Sequence, residues 1–253
     1  MTVLDQIAFN KGRRDEAPNQ QLARALARTR NASGIREIAR NLRNPNRNIQ
    51  SDCLKVLYEI GYLDPVLIAR YADEFLTLLA NKNNGLVWGS MIALGTIAPL
   101  RAKKIWSRLD EVLAALDHGS VITVVWGVRT LGAVAAANRR YRAEIVPHLL
   151  RQLETCLPRD VSTHAHGCLP AIDDATRRRF LVGLERRRPD LSSSSGNPPA
   201  EGDPPDPRDG GGARPNEQSA PGSPPGEQMR AGSQARSGEQ REGIPAPHRA
   251  LRA

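Results

Sequence analysis

Cysteine is scarce: Cys53, Cys156 and Cys168 are the only three, and their spacing forms no paired pattern of the kind that staples a small secreted fold or closes a zinc site. The N-terminus has no basic segment followed by an apolar run, so nothing directs secretion and a reducing, cytoplasmic setting is expected. Long hydrophobic runs are lacking too. Residues 119–137 come closest to the ~18 apolar residues of a membrane span. Ser120, Thr123 and Arg129 interrupt that stretch, which reads as a buried helix, so no membrane partner is expected. The chain also lacks a GxxxxGK[ST] phosphate loop, an HExxH metal helix, a GxSxG elbow and a CxxC pair. No catalytic residue, metal ligand or cofactor is therefore assigned. The nearest thing to a metal cluster is His164, His166 and Cys168 with Cys156 upstream, and alternating residues on a helix point apart.

Aromatic side chains are few and unevenly placed. All ten lie between Phe9 and Phe180, whereas residues 189–253 hold 12 prolines and 10 glycines and no aromatic. So little apolar surface does not offset the entropy of ordering a chain. The expected organisation is a folded body over 1–188 and a disordered Pro/Gly-rich tail over 189–253. The charge divides the same way. Up to Asp190 there are 29 Lys or Arg against 19 Asp or Glu, giving +10, while the remainder carries −1. Within the body the positive charge gathers at both ends. Residues 1–47 hold ten basic and four acidic side chains, and the stretch from Arg177 to Arg188 adds two arginine triplets.

What the chain does have is an internal repeat. At a period of 37, Ile35, Ala72, Leu109 and Val146 fall in one column, and Ile38, Phe75, Val112 and Leu149 in the next. Ala39, Leu76, Leu113 and Leu150 form a third column, and Leu42, Leu79, Leu116 and Leu153 a fourth. Spacing of i, i+3, i+4, i+7 is one face of an α-helix. Between these striped segments lie others rich in apolar and small residues: Val87-Trp88-Gly89 with Leu94-Gly95 echoes Val125-Trp126-Gly127 with Leu131-Gly132. Each repeat is thus a helical hairpin. Asp64-Pro65 marks a helix start, Asp160 and Asp173 are placed as caps, and Gly61 and Gly119 suit left-handed helix ends. Pro147 either kinks a helix that begins near Arg139, at about 3 kcal/mol, or opens one. Phe180, Leu181 and Leu184 continue the pattern at a shorter spacing, as a terminal cap would.

Stripes that one hairpin cannot bury, repeated at this period, predict an all-α stack. The chain resembles HEAT-repeat proteins of the armadillo-like class over residues 16–188. That resemblance implies a right-handed superhelix of about five hairpins with the second, striped helices lining a concave face. Outward positions on those helices are the candidate contacts. Glu37, Glu74 and Glu111 occupy one column with His148 next in line, and Arg40, Arg70 and Arg108 stand at ion-pair spacing from the three acids. Arg36, Arg40, Arg43 and Arg47 lie at or just beyond helical spacing, as a basic stripe would. Trp106 opens a striped helix with Asp110 one turn later, a plan similar to that of the HEAT-like alkylpurine DNA glycosylases, in which aromatic side chains cradle a damaged nucleotide and an Asp promotes base loss.

The expected function is a non-catalytic protein-interaction scaffold. Nucleic-acid binding through the arginine-rich ends is the alternative, with the glycosylase third; oligomeric state is open. Deletion of residues 189–253 is expected to leave the thermal midpoint nearly unchanged, and a drop of many degrees in a melting scan would show that the tail packs on the body.

Overall fold

The computed structural model describes residues 2–193, and most of the expected tail, 189–253, lies outside the described residues. Those residues form helices and short 3-10 turns, with no strand among them. Five helices make a first series: α1 (Ala17–Arg28), α3 (Arg47–Leu63), α5 (Asn84–Trp106), α7 (Val121–Ala137) and α9 (Val161–Cys168). Alternating with them are the striped helices α2 (Ala32–Arg40), α4 (Ala72–Leu78), α6 (Leu109–His118), α8 (Arg139–Thr155) and α10 (Asp174–Arg186). A last helix, α11 (Arg188–Ser193), crosses the expected boundary.

The repeat columns form the core. All their members are buried except Leu109 and Leu113, which are half-buried against it. Each fully buried Leu, Ile or Phe is worth about 1.5–3 kcal/mol, so four stripes supply much of the driving force.

In the first series, α1 packs on α3, α3 on α5, α5 on α7 and α7 on α9. Striped helices α2, α4, α6 and α8 lie against this row, and α10 lies against α8. The pairing within hairpins is mixed: α8 packs most on the preceding α7, as expected, whereas α2, α4 and α6 pack most on the following α3, α5 and α7. The physical reason lies in the partners. Helices α5 and α7 are apolar nearly all round and need cover on several sides, whereas a striped helix has only one face to bury.

Two expected glycine caps are corrected. Gly61 lies inside α3, and a methyl group built on it would sit 2.3 Å from the Thr96 hydroxyl of α5. Gly119 is extended, not left-handed (φ −82°). Gly61 therefore serves close approach of helices, a role shared by Gly95 beside Trp126 and Gly132 beside the Gly167 carbonyl. Asp64 and Asp173 do cap, accepting from the backbone N–H of Val66 and Thr176. Asp160 stands at the start of α9 without a capping bond. The commoner cap is asparagine: Asn31, Asn46, Asn83 and Asn138 each accept a backbone N–H at a helix start. These were legible in the sequence, since Asn is among the strongest N-cap residues.

Pro147 is interior to α8, which starts at Arg139 on its Asn138 cap. Pro99 is interior to α5, and just after it Arg101 leaves helical geometry (φ −127°, ψ 23°) and donates from Nε to the Ala69 carbonyl. Helix α5 is also long and apolar enough to cross a membrane by length and composition. Of its most apolar window 61% is buried inside the fold, as the central helix of this row requires.

At the end of the row, Arg187 donates to the carbonyls of Leu153, Glu154 and Cys156 and to Asp190. A deletion starting at Pro189 also removes Asp190, so a clean test of the tail starts at Ser194. Gly132→Ala is expected to destabilise the protein by about 1–3 kcal/mol, because a methyl group would lie 2.1 Å from the Gly167 carbonyl oxygen and force α7 from α9. Urea denaturation measures it; an unchanged midpoint would mean that the row is not in contact there.

Candidate functional site

Arginine is favoured where a planar, permanently charged donor must meet a carboxylate or phosphate, and its environment decides whether it is free to do so. Arg36 and Arg40 lie exposed on α2, Arg43 in the 3-10 turn Asn41–Arg43, and Arg47 opens α3. None of the four forms an ion pair among the described residues. Only part of the run shares a helical face: the helix axis breaks after Arg40, where Leu42 turns into the core, so the face holds Arg36 and Arg40.

The acidic column separates too. Glu37, Glu74, Glu111 and His148 are all half-buried. Of the three expected acid–base pairs only Arg108–Glu111 forms among the described residues. Arg70 belongs to a 3-10 turn that precedes α4, so it is out of α-helical register with Glu74 and its guanidinium lies instead over the Tyr71 ring. What joins neighbouring repeats on this side is a different set. Asp73 meets Lys104, Asp117 meets Arg151 at 2.9 Å, and Glu154 meets Arg186.

Trp106 closes α5 rather than opening a striped helix. Its ring stacks on Tyr141 with centroids 4.5 Å apart, the Arg140 guanidinium lies over it, and its indole N–H donates to Glu144. A ring so engaged has no face left to cradle a nucleotide. Asp110, exposed in the first turn of α6, has no contact with it.

Cysteine and histidine sit in structural roles. Burial pushes the Cys53 and Cys168 thiols up to about 12, which leaves both protonated. His164 is buried and His166 exposed on α9, so the two rings diverge, and no group of three metal-ligating side chains is found among the described residues. The hydroxyl and backbone N–H of Thr176, with the Arg142 guanidinium, hold the Asp173 carboxyl below the usual carboxylate range; this is a cap, not a catalytic acid.

Two constellations remain. On the face of α3, α5 and α7, Tyr58, Tyr62, Trp88 and Trp126 form a chain of rings with neighbouring centroids 5.8–6.3 Å apart. Lys55 and Arg129 lie over Tyr58 and Trp126. Lys55 is neutralised by Glu16 and Glu59. Arg129 is half-buried, desolvated and without a carboxylate among the described residues. The second constellation is a groove of about 350 Å³ between α8 and α10, where Arg151, Arg178, Arg179 and Arg186 surround Leu150 and Val182. The arginine run on α10 was visible in the sequence. That Arg151 of α8 completes it was not, because the two helices lie side by side only in the fold.

No protein-family model matches the chain, and no curated protein matches it. Among solved structures it is similar to the crystal structure of an engineered protein, a Northeast Structural Genomics Consortium target. The TM-score is 0.52 at 16% identity, covering 77% of this chain and 95% of that one. At that identity the likeness concerns the helical fold alone.

Burial holds the His164 imidazole below its ordinary value of 6.5, so the unfolded chain takes up the proton first. The stability contributed by the neutral ring is complete above that value and is lost as pH falls toward the lower folded value. The denaturant midpoint is expected to fall between about pH 7.5 and about pH 5.5, and to fall less in His164→Leu. Equal slopes in the two proteins would place the acid sensitivity elsewhere.

Proposed function

We propose that the chain is a non-catalytic protein-interaction scaffold, built as a right-handed stack of about five HEAT-like hairpins. Support for the stack comes from the serial packing of α1, α3, α5, α7 and α9, from the burial of the 37-residue columns, and from the likeness in fold to an engineered helical protein. In this reading α3, α5, α7 and α9 form one layer of the stack and the striped helices the other. Glycines draw the helices of the first layer together while long ionic side chains span the striped ones, and the layer of closer spacing lies on the inside of a curved stack. The concave face therefore runs along α3, α5 and α7.

The observation that carries the binding role is Arg129, a half-buried guanidinium with no acidic partner among the described residues, set over buried Trp126 in a row of rings of which Tyr62 and Trp88 are half-buried. Desolvating a cation without a counter-charge is costly, and a partner that brings a carboxylate offsets that cost. Aromatic and arginine side chains are also the residues that dominate protein interfaces. The thiols that burial raises and the carboxyls held low by Arg13 and Thr176 are accounted for by packing, ion pairing and capping, which fits a role without chemistry.

A second reading, nucleic-acid binding, is favoured by Arg36, Arg40, Arg43 and Arg47, all exposed and none ion-paired among the described residues. One experiment separates the two. Full-length chain carrying a crosslinker is used to capture partners from cell extract with and without nuclease, beside Arg129→Glu. The scaffold reading expects a saturable, nuclease-resistant protein partner lost about tenfold or more in the variant. Capture abolished by nuclease, together with duplex DNA affinity that falls steeply with salt, transfers the function to nucleic acid.

A further inference from the structure

Fewer than half of the arginines among the described residues hold a carboxylate. Arg13, Arg108, Arg142, Arg177, Arg187 and Arg188 each hold a carboxylate within 3.1 Å. Arg178 and Arg179 do not: both are exposed on α10 with no ion pair among the described residues. Both line the α8–α10 groove, where α8 supplies Pro147, Leu150, Arg151 and Glu154, and α10 adds Val182 and Arg186. Four guanidiniums thus face one carboxylate. Glu154 is committed to Arg186 at 3.6 Å, and Arg151 has its own acid in Asp117 on the neighbouring repeat. The charge that remains uncompensated is that of Arg178 and Arg179.

The surroundings of that charge are apolar. Val182 in the groove is 46% exposed, and exposed Pro147 with the edge of buried Leu150 forms the opposite side, while Leu181 lies on a neighbouring face of α10 outside the groove. Exposed apolar side chains next to unpaired arginines describe a ligand that is apolar on one face and acidic on its flanks. The α8 residues of the groove run from Pro147 to Glu154, about two turns of helix, a length that receives a short helical segment. Nucleic acid meets half of this description: its phosphates suit arginine, but it has no aliphatic face to cover Pro147 and Val182, and the groove has no aromatic ring on which to stack a base. The chain's own acidic stretch, Glu201 to Asp209, has no large apolar side chain and fails on the same count.

The geometry points to the α8–α10 groove as a docking site for an acidic amphipathic helix of a partner protein, with Arg178 and Arg179 pairing its carboxylates in the bidentate geometry that arginine favours and Pro147, Leu150 and Val182 receiving its apolar face. This is a second contact surface, separate from the α3–α7 face, and it stands or falls on its own.

The test is fluorescence anisotropy on the full-length chain with a labelled helical peptide that has leucines at i, i+4 and i+7 flanked by glutamates. Comparison probes are the same peptide with glutamine for glutamate, a short DNA duplex, and a peptide covering residues 200–212 of this chain. The expected result is saturable binding of the glutamate peptide that weakens with salt, and that weakens about tenfold or more in the doubly substituted Arg178→Glu, Arg179→Glu chain. Arg24→Glu with Arg28→Glu, exposed on α1 at the far end of the row, is expected to bind normally, and circular dichroism melts check that all variants fold. Equal binding of the glutamine peptide, tighter binding of the duplex with the same variant sensitivity, equal binding of the 200–212 peptide, or no binding by any probe would each overturn the assignment. Loss of the Arg129-dependent partner has no bearing on this measurement, so failures of the two readings are told apart.

Discussion

Helices α3, α5, α7 and α9 approach one another more closely than side chains normally allow, and the rest of the fold is arranged around that contact. A methyl group on Gly61, Gly89, Gly95 or Gly132 would lie 2.1–2.8 Å from an atom of the neighbouring helix. Close packing of this kind gains dispersion energy along the whole line of contact and leaves almost no tolerance for added volume. With both flanks so engaged, the central pair α5 and α7 must be apolar nearly all round, which accounts for the hydrophobic segments 84–106 and 121–137 in a chain of otherwise modest hydrophobicity. The striped helices then need bury only one face each, and they do so at the 37-residue columns.

The same division of labour sets where charge can be used. In the interior repeats some outward ionic side chains join one striped helix to the next, Asp117 to Arg151 and Glu154 to Arg186, while Asp73 ties α4 to Lys104 of α5. At each end of the row there is no further repeat to supply a partner. Arg36, Arg40, Arg43 and Arg47 at one end, and Arg178 and Arg179 at the other, are what such a ladder leaves over. Arg129 differs, since it sits mid-row; its missing carboxylate has no explanation in the geometry of the ends.

Much of the fold was legible because its information is local. The four columns, the helix starts at Asp64 and Asp173, and the buried character of residues 121–137 follow from spacing and residue type. The asparagine caps were equally local. Glycine misled because one residue type serves two purposes: Gly61 and Gly119 have the composition of helix ends, and only the neighbouring helix reveals that Gly61 is a contact point. Trp106 misled for a related reason. Its position one turn before Asp110 suggested an exposed pair, and the ring is instead taken by Tyr141 and Glu144 from a helix more than thirty residues along the chain.

The sequence by itself determined that the body is helical, that its hairpins repeat, and that positive charge collects at both ends, since hydrophobic periodicity and charge counts need no knowledge of neighbours. Which helix pairs with which, and which arginines are left without an acid, were decided only by tertiary structure. Helix–helix contact and ion pairing depend on distances through space, and residues such as Arg151 and Arg179, 28 positions apart in the chain, become neighbours only when α8 and α10 are laid side by side.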